Sequence, residues 1–83
     1  MTTLAELAVG ESARVAQVEG VDEISIRLME MGLVPGTELR LLGLAPLGDP
    51  LEIEVRGYRL SLRKSEAARV QLTTCPQELR SEL

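Results

Sequence analysis

LEIEVRGYRLSLRK, residues 51–64, alternates apolar and polar side chains on both sides of a glycine. A period of two puts every second side chain on one face of an extended chain, so the segment predicts two strands joined by a tight turn. Two registers fit the pattern. With Arg56-Gly57 as the turn, Val55 faces Tyr58, Ile53 faces Leu60, Leu51 faces Leu62, and the outer face sets Glu54 against Arg59. With Gly57-Tyr58 as the turn the apolar face still matches, but Arg56 opposes Arg59. Opposed like charges disfavour that second register by about a few tenths of a kcal/mol.

Outward from this hairpin, other short strands appear. TELRLLGLA (37–45) places Leu39 and Leu41 on one side and Glu38 and Arg40 on the other, with Gly43 as a point of bending. SARVAQVEG (12–20) alternates through Ala13, Arg14 and Val15, then falters near Gln17 and Val18, where a bulge is expected. VQL (70–72) closes the series. Between the first two strands, VDEISIRLMEMG (21–32) changes period. Ile24, Leu28 and Met31 follow i, i+4, i+7, Asp22 is a candidate N-cap, and Gly32 a candidate residue just past the helix end.

The turns carry their own signals. Pro35 and Gly36 in VPG suit a tight turn after the helix. In PLGDP (46–50), Gly48, Asp49 and Pro50 shape a second loop, where the Asp49 carboxylate can accept a backbone hydrogen bond. Thr3 and Glu6 are spaced as a capping box for one helical turn, and Ser65 is the expected cap of another in SEAAR. The organisation is thus one mainly β domain over residues 1–75 and a tail over 76–83. The tail, with little to bury beyond Leu79 and Leu83, is either a frayed helix after Pro76 or a flexible tail. Five strands, an inserted short amphipathic helix and one-turn helices predict a small closed or partly closed β-barrel.

Composition narrows the function. The chain of 83 residues contains no His, one Cys and one aromatic residue, Tyr58, and carries 13 acidic against 9 basic residues. Missing His removes the usual base at neutral pH and the commonest metal ligand. Cys75 has no partner for nucleophilic chemistry or an internal disulfide. Glu52 and Glu54 share an outward strand face opposite arginines, which reads as a solvated face rather than an acid–base pair. Enzymatic activity and a cofactor are therefore not expected. Glu19, Asp22, Glu23 and Glu30 do not follow a calcium-loop pattern, and Met29 and Met31 are read as helix-face residues, so no metal site is assigned. GLAPLGDP lacks the lysine of a phosphate-binding loop. The net charge of −4 argues against nucleic acid, and no apolar run reaches the roughly 20 residues of a membrane span. No signal-peptide pattern opens the chain, and a cytoplasmic location is expected.

RLMEMGLVPGTELRLLGLAPLGDPLEIEVRGYRLSLRKSEAARVQL, Arg27–Leu72, resembles the FeoA family, ferrous iron transport protein A. The resemblance lies in an ordered set: a leucine near MG, then PGT, PLGDP and an LRKSEA segment. It implies an SH3-like β-barrel in the cytosol and an accessory or regulatory role beside FeoB, the membrane ferrous iron transporter with a cytosolic GTPase domain. Similar domains end some metal-dependent repressors, but repressor function is not expected without room for a DNA-binding motif. The alternatives are an SH3-like interaction module with an unrelated partner, including a second copy of itself, or a weakly metal-responsive domain. Proline-rich peptides are not expected ligands, since one tyrosine cannot line their groove. Three aliphatic residues have no place in the expected core: Met29 off the helix stripe, Leu47 at the tip of its loop, and Leu42 on the outward side of its strand. Met29 and Leu47, then Leu42, are the candidate partner contacts.

Overall fold

A computed structural model describes residues 2–73 of the chain. Six antiparallel strands form one sheet: β1 (Thr2–Thr3), β2 (Ser12–Val18), β3 (Glu38–Leu44), β4 (Leu51–Val55), β5 (Tyr58–Leu62) and β6 (Val70–Thr73). Their spatial order is β1-β6-β2-β3-β4-β5, so among the described residues the sheet does not close on itself and β1 and β5 are its edges. Five of these strands are the ones that alternation marks. The sixth, β1, is only two residues long and pairs Thr2 with Leu72 and Thr3 with Gln71, too short to leave a period of two. Helix α1 (Glu23–Glu30) lies between β2 and β3, and the single turn α2 (Lys64–Ala67) lies between β5 and β6.

The hairpin takes the first of the two expected registers, with Val55 paired to Tyr58, Ile53 to Leu60, Leu51 to Leu62 and Glu54 to Arg59. Its central residues Arg56 and Gly57 both have positive φ, 54° and 89°. That is a type I′ turn, whose twist matches the flanking strands. Two bulges adjust the sheet. One falls between Val15 and Gln17, where alternation falters, and the other between Leu41 and Gly43.

Alternate residues of β2, β3, β4 and β6 converge on an aliphatic core. Leu4, Leu28, Leu33, Leu41, Ile53, Val55 and Val70 are completely buried there. A fully buried leucine of this kind contributes about 2 kcal/mol relative to leaving it in water. Helix α1 supplies Leu28, with Ile24 and Met31 half-buried beside it. The helix begins as its sequence indicates: the Asp22 carboxylate accepts from the Ser25 N–H at 3.2 Å. It ends in a paired closure. The Gly32 N–H donates to the Met29 carbonyl and the Leu33 N–H to the Leu28 carbonyl, with Gly32 at φ 109°. This Schellman arrangement brings Leu33 onto Leu28, a contact the i, i+4, i+7 stripe does not contain because Leu33 lies past the helix.

The turn that follows has Pro35 and Gly36 as central residues. Thr37 N–H closes it on the Val34 carbonyl at 3.0 Å, and Gly36, at φ 91°, donates to the Val15 carbonyl at 2.8 Å. Pro35 followed by a left-handed glycine defines a type II turn. Near the N-terminus, a 3-10 turn over Leu4–Glu6 is held by the Glu6 carboxylate, which accepts from the Thr3 N–H. The expectation for α2 needs correction. Its cap is Arg63, not Ser65, which lies exposed within the turn. The Glu66 carboxylate accepts from the Arg63 N–H, and Asp49 Oδ1 accepts from the Lys64 N–H, both at 2.9 Å. Asp49 thus serves another segment rather than its own loop. The tail over 76–83, Cys75, and the domain limit at residue 75 lie outside the described residues.

Candidate docking surface

The register sorts the candidate residues onto two ends of the sheet. At one end, Pro35, Gly36 and Gly57 come together and line a shallow, open groove with Ser12, Glu38 and Arg40. At the other end, the β3–β4 loop with Gly48 and Pro50 is closed by Ala45 N–H on the Pro50 carbonyl and Gly48 N–H on the Ala45 carbonyl. Asp49 joins that loop to α2. Five residues of strand at about 3.4 Å each separate these ends, roughly 17 Å.

Met29 belongs with the first end. It is 38% exposed on α1, and Ile26, one turn earlier, is half exposed on the same side. A Cβ placed on Gly32 would lie 3.8 Å from the Tyr58 hydroxyl and 3.6 Å from Val55. The helix end therefore abuts the tyrosine, whose own surface is 51% exposed. Leu47 stands apart at the far loop, 94% exposed. Leu42 occupies the β3 bulge and is half-buried, because the extra residue there turns it partly into the sheet. The three candidates do not form one patch. Ile26 is the missed neighbour of Met29, lying three residues away on the helix and off the buried stripe; Tyr58 lies beside the helix end at Gly32.

Six of the surface charges meet in pairs. Asp22 and Arg69 meet at 2.6 Å, and Arg40 and Glu54 at 3.4 Å, while Arg27 pairs with Glu66 between α1 and α2. The Arg69 guanidinium, helped by the Ser25 N–H, lowers the Asp22 pKa from 3.8 to about 2. Among the described residues, no three of Cys, Asp and Glu converge as a metal site. Two of the carboxylates grouped in the sequence are occupied: Glu19 accepts from Gln71, and Asp22 caps α1. No described helix is long and apolar enough to cross a membrane.

Comparison with known proteins adds a family. The FeoA domain model matches residues 2–74. FeoA of Stenotrophomonas maltophilia, solved in complex with zinc and described as an SH3 domain protein, is 40% identical, with a TM-score of 0.78 over 88% of this chain and 91% of that one. A FeoA-like protein of Clostridium acetobutylicum is 38% identical, with a TM-score of 0.80 over 89% of this chain and 90% of that one. A protein of Porphyromonas gingivalis in which Fe(2+) transport protein A is fused to the Fe(2+) transporter FeoB is 36% identical over 69 residues. Those residues are 83% of this chain and 8% of the fusion protein, so the chain spans a small part of that relative's length. The FeoA model covers every described residue and these relatives are 36–40% identical: the chain belongs to the FeoA family, which includes relatives named for ferrous iron transport.

Proposed function

We propose that this protein is a non-catalytic accessory module of ferrous iron uptake that works in the cytosol by docking on the FeoB transporter. The observation that carries this reading is the fusion in Porphyromonas gingivalis, where a FeoA-like segment and the transporter share one chain. Fusion fixes two domains at an effective concentration of the order of mM. A separate chain must replace that tether with affinity, which calls for an exposed apolar anchor. We assign that anchor to Ile26 and Met29, exposed on α1, with Tyr58 exposed beside the helix end at Gly32. Partner contacts of this type concentrate their energy in a few central apolar and aromatic residues. GTP hydrolysis and the passage of iron belong to the transporter; this domain supplies shape.

The test is association with FeoB in detergent, read by co-purification and by the GTP hydrolysis rate of the complex. Stoichiometric retention with a changed hydrolysis rate supports the reading. Absence of retention at tens of micromolar protein, with both partners folded, overturns it.

A further inference from the structure

The outer edge of β5 is unpaired among the described residues, and the hydrogen-bond pattern identifies which groups it presents. Leu41 turns its main-chain groups toward the β2 side, bonding with Gly10 and Glu11. Alternation in an antiparallel ladder then directs Arg40 to Glu54, and Val55 and Ile53 to Tyr58 and Leu60. Arg59 and Ser61 are left facing outward with their N–H and carbonyl groups, and neither has a hydrogen-bond partner among the described residues. Both residues are exposed.

The same edge is basic in an acidic protein. Arg56, Arg59, Arg63 and Lys64 are all exposed along it, and among the described residues none lies in an ion pair. Of the neighbouring carboxylates, Glu54 and Glu66 are engaged by Arg40 and Arg27, which leaves Glu52, opposite Ser61, against the four cations. We infer that the outer edge of β5 docks an extended, acidic segment of a partner protein, which joins the sheet as an added strand. Main-chain bonds to Arg59 and Ser61 supply the pairing, and the cations select the charge. Cations guarding an edge repel basic strands and offer little to neutral ones; an acidic strand is the kind they attract. The site does not depend on Met29.

The probe is a capped heptapeptide of alternating glutamate and valine, EVEVEVE, compared with KVKVKVK. Binding is followed in the full chain by amide chemical shifts and hydrogen exchange. We expect EVEVEVE to shift the Arg59 and Ser61 amides and slow their exchange at least tenfold at saturation, while KVKVKVK leaves them unchanged. Ser61→Pro, which removes an outward N–H, should abolish this with an unchanged denaturation midpoint. If proline disturbs the edge, the double variant Arg59→Gln with Arg63→Gln should still weaken EVEVEVE at least threefold. Equal binding of both peptides, no binding, or shifts confined to other strands would overturn the inference. Protection of these amides without peptide would also overturn it. If it rises with protein concentration, a second copy is the occupant; if it disappears on truncation after Thr73, the chain's own C-terminal segment is.

Discussion

The corner at Met31–Thr37 and the loop at Ala45–Pro50 share a vocabulary of glycine and proline, yet they do opposite things. In the corner, two backbone bonds tie the turn to the rest of the fold: Leu33 bonds back to Leu28, and Gly36 to Val15. Leu33 is completely buried and Thr37 nearly so. In the loop, the two backbone bonds stay local, and the side chain at the apex, Leu47, points into solvent. Turn residues thus report where the chain reverses, while the buried residue beside them decides whether the reversal holds the core together or displays a side chain.

That contrast can be broken by substitution. The largest effect belongs to Leu33→Ala, which empties a fully buried site next to Leu28 and should destabilise by about 2–5 kcal/mol in chemical denaturation. A loss below about 1 kcal/mol would mean the corner does not anchor the helix. Next comes Gly36→Val. A Cβ there meets nothing within 4 Å, so any cost is backbone strain at φ 91°, about 1–3 kcal/mol. On the loop side, Asp49→Ala removes the acceptor for the Lys64 N–H and should cost about 0.5–2 kcal/mol, the range for a lost helix cap. No change would show that the loop and α2 are independent.

Much of this was legible in the sequence, and the omissions have physical causes. The Leu51–Leu62 hairpin could be read to its register because period two and opposed charges agree. Helix α1 could be read from Asp22 to Gly32 because cap, stripe and glycine stand in order. Ser65 misled as a cap because the acceptor that starts α2 comes from Asp49, distant in sequence. Leu33 and β1 escaped because a single residue past a helix and a two-residue strand have no period. The docking candidates were legible only as exceptions to a pattern, which marks Met29 and Leu47 as exposed but cannot place them on a common face.

The smallest effect sharpens the electrostatic side of the comparison. Asp22 has its pKa lowered to about 2 by Arg69 and the Ser25 N–H. A carboxylate lowered by folding contributes its stability above the unfolded value near 4 and loses it as pH falls toward 2. Asp22→Asn keeps a capping side chain but lacks the charge. Comparing thermal midpoints, we expect the gap between wild type and Asp22→Asn to be present at pH 6 and to narrow between pH 4 and 2. The pair is exposed and screened, so the gap is small. A gap independent of pH would remove the ion pair from the account.

The central claim, that this domain acts through a surface, rests on Met29 and its neighbours. It is tested most directly by titrating the FeoB cytosolic region with the wild-type protein and with Met29→Glu, alongside each protein's denaturation midpoint and with Leu47→Glu as the far-loop comparison. The account expects Met29→Glu to weaken association at least tenfold with its midpoint nearly unchanged, and Leu47→Glu to weaken it less. Wild-type binding matched by a stable Met29→Glu would contradict the account.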